Sequence, residues 1–160
     1  MNKQLLTQKG RKKVEEELKH LKQQKRPEII QAIATARAMG DLSENADYHA
    51  AKDQQGLIES KIKDLENLLA TGETPDSKHI DQDKIAFGAK VSLLDVETKQ
   101  KFVYELVGIY EADLKQQLIS FYSPLGKSLV GKRRGEITQV ELPNGSFKIY
   151  EILDITYPEE

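Results

Sequence analysis

Two narrow apolar stripes in the first half of the chain limit its possible folds more than any other feature. Val14, Leu18 and Leu21 step by four and three residues, and Ile29 or Ile30, Ile33 and Ala36 continue the stripe after an offset at Pro27. A second stripe runs through Ala51, Ile58, Ile62, Leu65 and Leu69. Residues three, four or seven apart share one face of an α-helix. Seams this narrow, flanked by charge, suit a coiled coil rather than the wider face of a bundle helix. Two such helices separated by a short polar stretch predict an antiparallel hairpin over residues 1–75. Pro27 lacks a donor and crowds the previous turn, so it is expected to bend the first helix locally. A helix of about 27 residues extends roughly 40 Å at 1.5 Å per residue, which makes a long, thin arm with little core of its own.

The composition changes near Thr71. Before it Tyr48 is the lone aromatic residue; after it come β-branched and aromatic residues and four of the five prolines. The segment Thr71-Gly72-Glu73-Thr74-Pro75-Asp76 is rich in helix terminators and turn formers, so a second domain is expected over residues 80–160. There the apolar residues alternate with period two. Ala89, Val91 and Leu93 form one run and Phe102, Tyr104 and Leu106 another. A short run covers Ile119 to Tyr122, and two more, Ile137 to Leu142 and Phe147 to Tyr157, flank the hairpin turn Pro143-Asn144-Gly145. Ser123-Pro124 supplies an N-cap and first residue for a short helix ending before Gly131. The expected class is α+β: a coiled-coil hairpin, then a small domain of about five antiparallel strands with one short helix.

The chain has no cysteine, which excludes disulfide scaffolds, thiol catalysis and Cys-ligated zinc. No apolar run approaches the ~20 residues of a bilayer span and no signal-peptide pattern opens the sequence, so no membrane partner and a cytoplasmic location are expected. The sequon at Asn144 means a turn rather than a glycan site. A net charge of −2 hides an uneven distribution: residues 1–26 hold nine Lys/Arg against three Asp/Glu, and residues 27–59 hold two against six. Such asymmetry fits a partner with a charged surface, or simply a solvated face.

The tip of the hairpin carries the candidate chemistry: Gly40-Asp41-Leu42-Ser43-Glu44-Asn45-Ala46-Asp47-Tyr48-His49-Ala50-Ala51. Spacing leaves two readings open. In one, Gly40 takes the left-handed position after the first helix, Asp41 or Ser43 caps the second, and Asp41-x-x-Glu44 forms a capping box. In the other, two or three carboxylates at the end of an arm offer oxygen ligands of the kind Mg²⁺ accepts. A bare tip could not hold the ion tightly alone, but it could complete a site whose other ligands belong to a partner. There the metal would activate a water for attack on a phosphodiester.

Arg26-Pro27-Glu28-Ile29-Ile30, with the tip motif through Lys52, Gln55-Gly56 and Ile62-Lys63-Asp64-Leu65-Glu66, resembles the signature of Gre-type bacterial transcript cleavage factors, and the GreA branch most closely. Phe87-Gly88-Ala89, Glu111-Ala112-Asp113, Ile119-Ser120, Ser123-Pro124-Leu125 and Gly131-Lys132 extend the resemblance over nearly the whole chain. It implies an arm that enters the secondary channel of bacterial RNA polymerase, where Asp41 and Glu44 help hold a second Mg²⁺ and a water. The polymerase then cleaves the extruded 3′ end of a backtracked nascent RNA, and the factor, a monomer, has no complete active site. Arg37 and Lys52 match positions near the RNA 3′ segment. Lys52 stands where the family usually has Arg, keeping the charge without the planar fork. Asp47 is shorter than the usual Glu. Ser43, Asn45 and Tyr48 belong to the same motif, with packing or capping of the turn as their other reading.

The second domain resembles the family's FKBP-like domain, which implies docking on the polymerase through Ser120 to Pro124, with Ser123 between. A strand end followed by a helix cap is the other reading of that loop. Prolyl isomerase activity is not expected, because an aromatic pocket is hard to build from Phe87, Phe102, Phe121 and Phe147 without Trp. Lys132-Arg133-Arg134 reads as a solvated triplet, with contact to a polyanion as its other reading. Leu125-Gly126-Lys127-Ser128 mimics the end of a P-loop, but Phe121 occupies the place of its first glycine. His20, His49 and His79 are scattered and lack metal-ligand spacing. Two further functions stay open at this stage: a Gre-fold inhibitor of polymerase, and a helical-hairpin chaperone or adaptor.

Overall fold

The computed structural model describes residues 4–40, 44–75 and 81–158. The chain divides into two compact units, Arg11–Gly72 and Met1–Gly10 with Glu73–Glu160. Helix α1 spans Gln8–His20 and α2 spans Arg26–Arg37, with a π-helical turn at Leu21–Lys25 between them; α3 spans Ala46–Thr71. The disturbance expected at Pro27 takes the form of this π turn, in which the Arg26 N–H donates to the Leu21 carbonyl five residues back. The widened turn lies just before the proline, which has no N–H to contribute to the next one. The extra residue also explains the offset in the stripe. Leu21 and Ile29 are eight apart instead of seven, yet both are buried, and Ile30 is left 51% exposed.

Val14, Leu21, Ile29, Ile33 and Ala36 are buried on the first side of this unit, and Ala51, Ile58, Ile62, Leu65 and Leu68 on the second. Leu68 closes the seam, while Leu69, expected there, is half-buried. Ion pairs Glu17–Lys61 (2.7 Å), Lys22–Glu66 (3.3 Å) and Arg26–Glu59 (2.7 Å) flank the seam. Water and salt screen these exposed pairs, so each contributes little to stability.

In the other unit, strands β1 (Lys90–Asp95), β2 (Lys101–Val107), β3 (Leu118–Ser120), β4 (Ile137–Glu141) and β5 (Phe147–Thr156) form one sheet in the order β3-β2-β1-β5-β4. Helix α4, Pro124–Leu129, packs beside β4. Ile85, Ala89, Val91, Leu93, Leu106, Ile119, Leu129, Ile152 and Ile155 make the core, and burial of this apolar area is the main term holding the unit together. The class is α+β as the sequence predicts, but the sheet is mixed. β3 runs parallel to β2, and the other pairs are antiparallel. Period-two alternation carries no strand direction. The direction here follows from the connection after Val107, which includes a 3₁₀ turn at Leu114–Gln116.

The first described residues belong to this sheet unit. The Leu6 N–H donates to the Glu73 carbonyl (2.8 Å) and the Glu73 N–H to the Gln4 carbonyl (2.9 Å). Leu6 is 1% exposed. The Glu111 carboxylate accepts from the Thr7 N–H (3.0 Å), the Thr7 hydroxyl and the Gly108 N–H (3.1 Å).

Candidate functional site

Helix α3 begins later than the capping-box reading requires. Its N-cap is Asn45, in extended conformation, whose Oδ1 accepts from the Tyr48 N–H at 3.0 Å. A box from Asp41 to Glu44 would need α3 to start near Leu42, whereas Glu44 lies before the Asn45 cap. Asp47 sits in the first turn, where a carboxylate complements the helix dipole. Gly40 is also placed differently from the expectation. α2 ends at Arg37 with Ala38 as C-cap, and Gly40 lies two residues further on with φ of 128°, beyond the left-handed helical region.

The same Asn45 side chain reaches back to α2, its Nδ2 donating to the Ala36 carbonyl at 2.6 Å. One amide thus satisfies a donor at the start of α3 and an acceptor at the end of α2. Beside it the Arg37 guanidinium lies 5.7 Å from the centroid of the Tyr48 ring, and the His49 ring meets Tyr48 edge-on at 5.4 Å. A shallow groove of about 450 Å³ between α2 and α3 is lined in part by Ala36, Met39, Asp47 and Ala51.

Of the sequence-predicted residues, Arg37, Asn45 and Tyr48 are brought together. Glu44 precedes them and is exposed. Lys52 is exposed too, but its Nζ donates to Gln55 Oε1 (3.3 Å) on its own helix. Asp41 and Ser43 lie outside the described residues, as does His79. Among the described residues no three His, Asp or Glu side chains converge as a metal site. Exposed carboxylate oxygen at Glu44 is the donor type that suits Mg²⁺, and one such donor fits a shared site better than a site of the chain's own.

The Ser120–Pro124 loop is a strand end and a helix cap. Ser123 Oγ accepts from the Gly126 N–H (3.1 Å) and donates to the Ser120 carbonyl (2.7 Å), and Ser120 Oγ accepts from the Tyr122 N–H (3.1 Å). Phe121 packs edge-on against Phe87. The P-loop-like stretch is α4 itself, with Pro124 in its first turn.

The basic triplet is not merely solvated. Arg133 pairs with Asp81 (3.0 Å), while Arg134 pairs with Asp154 (2.8 Å) and donates to the Ile155 carbonyl (2.6 Å). Hydrogen bonding to Arg134 holds the Asp154 carboxyl below the usual carboxylate range. Sequence reading missed these pairs because each joins residues 20 or more positions apart. The spacing of Asp81 and Asp154 gave no local signal.

Sequence profiles described as "Transcription elongation factor, N-terminal" and "Transcription elongation factor, GreA/GreB, C-term" match residues 4–73 and 80–157. The transcription elongation factor GreA of Orientia tsutsugamushi (strain Boryong) is 49% identical over 152 residues, covering 95% of each chain. That of Acidiphilium cryptum (strain JF-5) is 45% identical over 157 residues, covering 98% of this chain and 99% of its own. A solved structure, GreA factor homolog 1 (Gfh1) of Thermus thermophilus, aligns with 97% of this chain and 99% of that one at 22% identity and a TM-score of 0.44. With both profiles matched in order and identity near one half along almost the full length, the chain belongs to the GreA/GreB family of transcription elongation factors.

Proposed function

We propose that the chain is a transcript cleavage factor whose helical arm enters the secondary channel of bacterial RNA polymerase. There Asp41 and Glu44 present carboxylates to the polymerase active centre, and the 3′ end of a backtracked nascent RNA is cleaved. The observation that carries this reading is the transfer of the capping role to Asn45, which leaves the Glu44 carboxylate exposed and outside the cap. Asp41 and Glu44 would together hold a Mg²⁺ shared with the polymerase. When bound, the ion supplies polarisation of a water for attack on the phosphodiester. The chain's own contribution is to carry these oxygen donors on a long arm: α3 alone has 26 residues, about 39 Å of helix. Arg37 and Lys52 contribute positive charge toward the RNA phosphates. The loop with Ser120, Ser123 and Pro124, fixed by its own hydrogen bonds, is the docking element. In this role the protein works as a cytoplasmic monomer and is not itself an enzyme.

The test uses stalled, backtracked elongation complexes with Mg²⁺. Wild-type protein should release short 3′ RNA fragments. Asp41→Asn and Glu44→Gln should bind polymerase normally and release none, and protein without polymerase should leave RNA intact. Inhibition of synthesis without fragment release would establish the inhibitor alternative, and absence of polymerase binding would establish the adaptor alternative. Normal cleavage by both variants would overturn the role given to the carboxylates.

A further inference from the structure

The arginines of this chain divide by how their guanidinium groups are held. Arg11 donates to the Leu69 and Gly72 carbonyls (3.3 and 2.8 Å). Arg26 forms a two-bond fork with Glu59 (2.7 Å each). Arg133 meets Asp81, and Arg134 meets Asp154 and the Ile155 carbonyl. Arg37 differs: its guanidinium carbon lies over the Tyr48 ring, 5.7 Å from the centroid, and among the described residues no carboxylate pairs with it. The backbone that carries the ring is fixed by the α3 cap, since the Tyr48 N–H donates to Asn45 Oδ1.

A guanidinium that rests on a ring and pairs with no described carboxylate keeps its planar fork available for a second ligand. The acceptor that matches such a fork with two parallel hydrogen bonds is a carboxylate or a phosphate. A free arginine side chain would have to order itself on binding; one resting on an aromatic platform has given up part of that freedom beforehand. We infer that Tyr48 is a positioning residue, its ring orienting the Arg37 fork toward the phosphodiester backbone of the RNA segment beside the tip carboxylates. The inference rests on the proposed cleavage role and adds to it a residue that acts through Arg37 rather than on the RNA.

The ring and not the hydroxyl performs this task, so Tyr48→Phe should cleave within about twofold of wild type. Tyr48→Leu should lower the maximal cleavage rate about five- to tenfold, with the half-saturating factor concentration changed less than about twofold. The decisive measurement is the double-mutant cycle. On an Arg37→Ala background, Tyr48→Leu should cost nothing further, because the group it orients is gone. If Tyr48→Leu cleaves like wild type, or lowers the rate as much without Arg37 as with it, the positioning role is overturned and Tyr48 is only packing. If wild-type protein releases no RNA fragments, the cleavage role fails and the inference falls with it. That outcome is distinct from an active wild type with an inert Tyr48.

Discussion

The Asn45 amide joins the two helices of the arm, donating from Nδ2 to the Ala36 carbonyl at 2.6 Å while Oδ1 accepts from the Tyr48 N–H at 3.0 Å. Asn45→Ala removes both bonds and should cost about 1–2 kcal/mol of arm stability. Asn45→Ser keeps an acceptor for the Tyr48 N–H but cannot reach Ala36 in the same way, so its loss should be about half as large. Urea unfolding followed by helical circular dichroism orders the three proteins. Equal stability of wild type and Asn45→Ser would mean the bond to Ala36 contributes nothing.

Acid should weaken the sheet unit through Asp95. This carboxylate faces inward from β1 and is 2% exposed. Its Oδ1 accepts from the Thr98 and Glu97 N–H groups (3.2 and 2.9 Å), and its Oδ2 from Lys148 Nζ (3.1 Å). The Thr98 N–H, then Lys148 and the Glu97 N–H, hold the carboxyl below the usual range against the opposing effect of burial. A carboxyl with a depressed pKa in the folded state stabilises the fold above its unfolded pKa of about 4, and that contribution disappears as pH falls through the folded value. Unfolding midpoints measured from neutral pH to about pH 3 should therefore drop with acid. The drop should be shallower in Asp95→Asn, where the remaining slope comes from groups such as Asp81 and Asp154.

Glu111 should control the protection of the first described residues. It accepts from the Thr7 and Gly108 N–H groups at 3.0 and 3.1 Å, and the Thr7 hydroxyl in turn accepts from the Gly10 N–H at 2.9 Å. Glu111→Ala leaves those donors unsatisfied and should cost about 1–3 kcal/mol. Hydrogen exchange should quicken at the Thr7, Gly108 and Gly10 amides, with little change at β5 amides. Unchanged exchange at Thr7 would show that Leu6 burial and the backbone bonds with Glu73 hold the segment without Glu111.

The parts of this molecule that repeat were legible in the sequence. Val14, Leu21, Ile33, Ala51, Ile58, Ile62 and Leu65 are buried as their helical spacing predicts, and Val91, Leu93 and Leu106 as their alternation predicts. The parts that depend on distant residues were not. Nothing near Leu6 announces Glu73, and nothing near Arg134 announces Asp154. The π turn was visible only as a one-residue offset whose cause needed backbone geometry to identify. At the tip, three acceptable caps lie within five residues, Asp41, Ser43 and Asn45. Side-chain type cannot choose among them, because the choice depends on where α2 ends and which cap can also reach Ala36.

Two glycines of similar sequence appearance should respond oppositely to alanine. Gly126 lies in α4, where an added Cβ would stand 2.4 Å from the Ser120 carbonyl oxygen and 2.8 Å from that of Phe121. Both obstacles are backbone, held by the Ser123 cap and the Phe121 N–H bond to the Val107 carbonyl, so relief requires moving the loop. Gly126→Ala should destabilise the sheet unit by about 1–3 kcal/mol, the usual range for overpacking. If Ser120–Pro124 is the docking element, it should also weaken polymerase binding. Gly56 lies inside α3, exposed, with nothing within 4 Å of a Cβ position. There alanine only restricts the unfolded chain and improves helix propensity, so Gly56→Ala should stabilise the arm by about 0.5–1 kcal/mol. Urea denaturation of each variant, followed by helical signal for Gly56 and tyrosine fluorescence for Gly126, reads the two effects separately. A neutral Gly126→Ala would show that the Ser120–Phe121 backbone yields easily, and the rigidity assigned to the docking loop would then be lost.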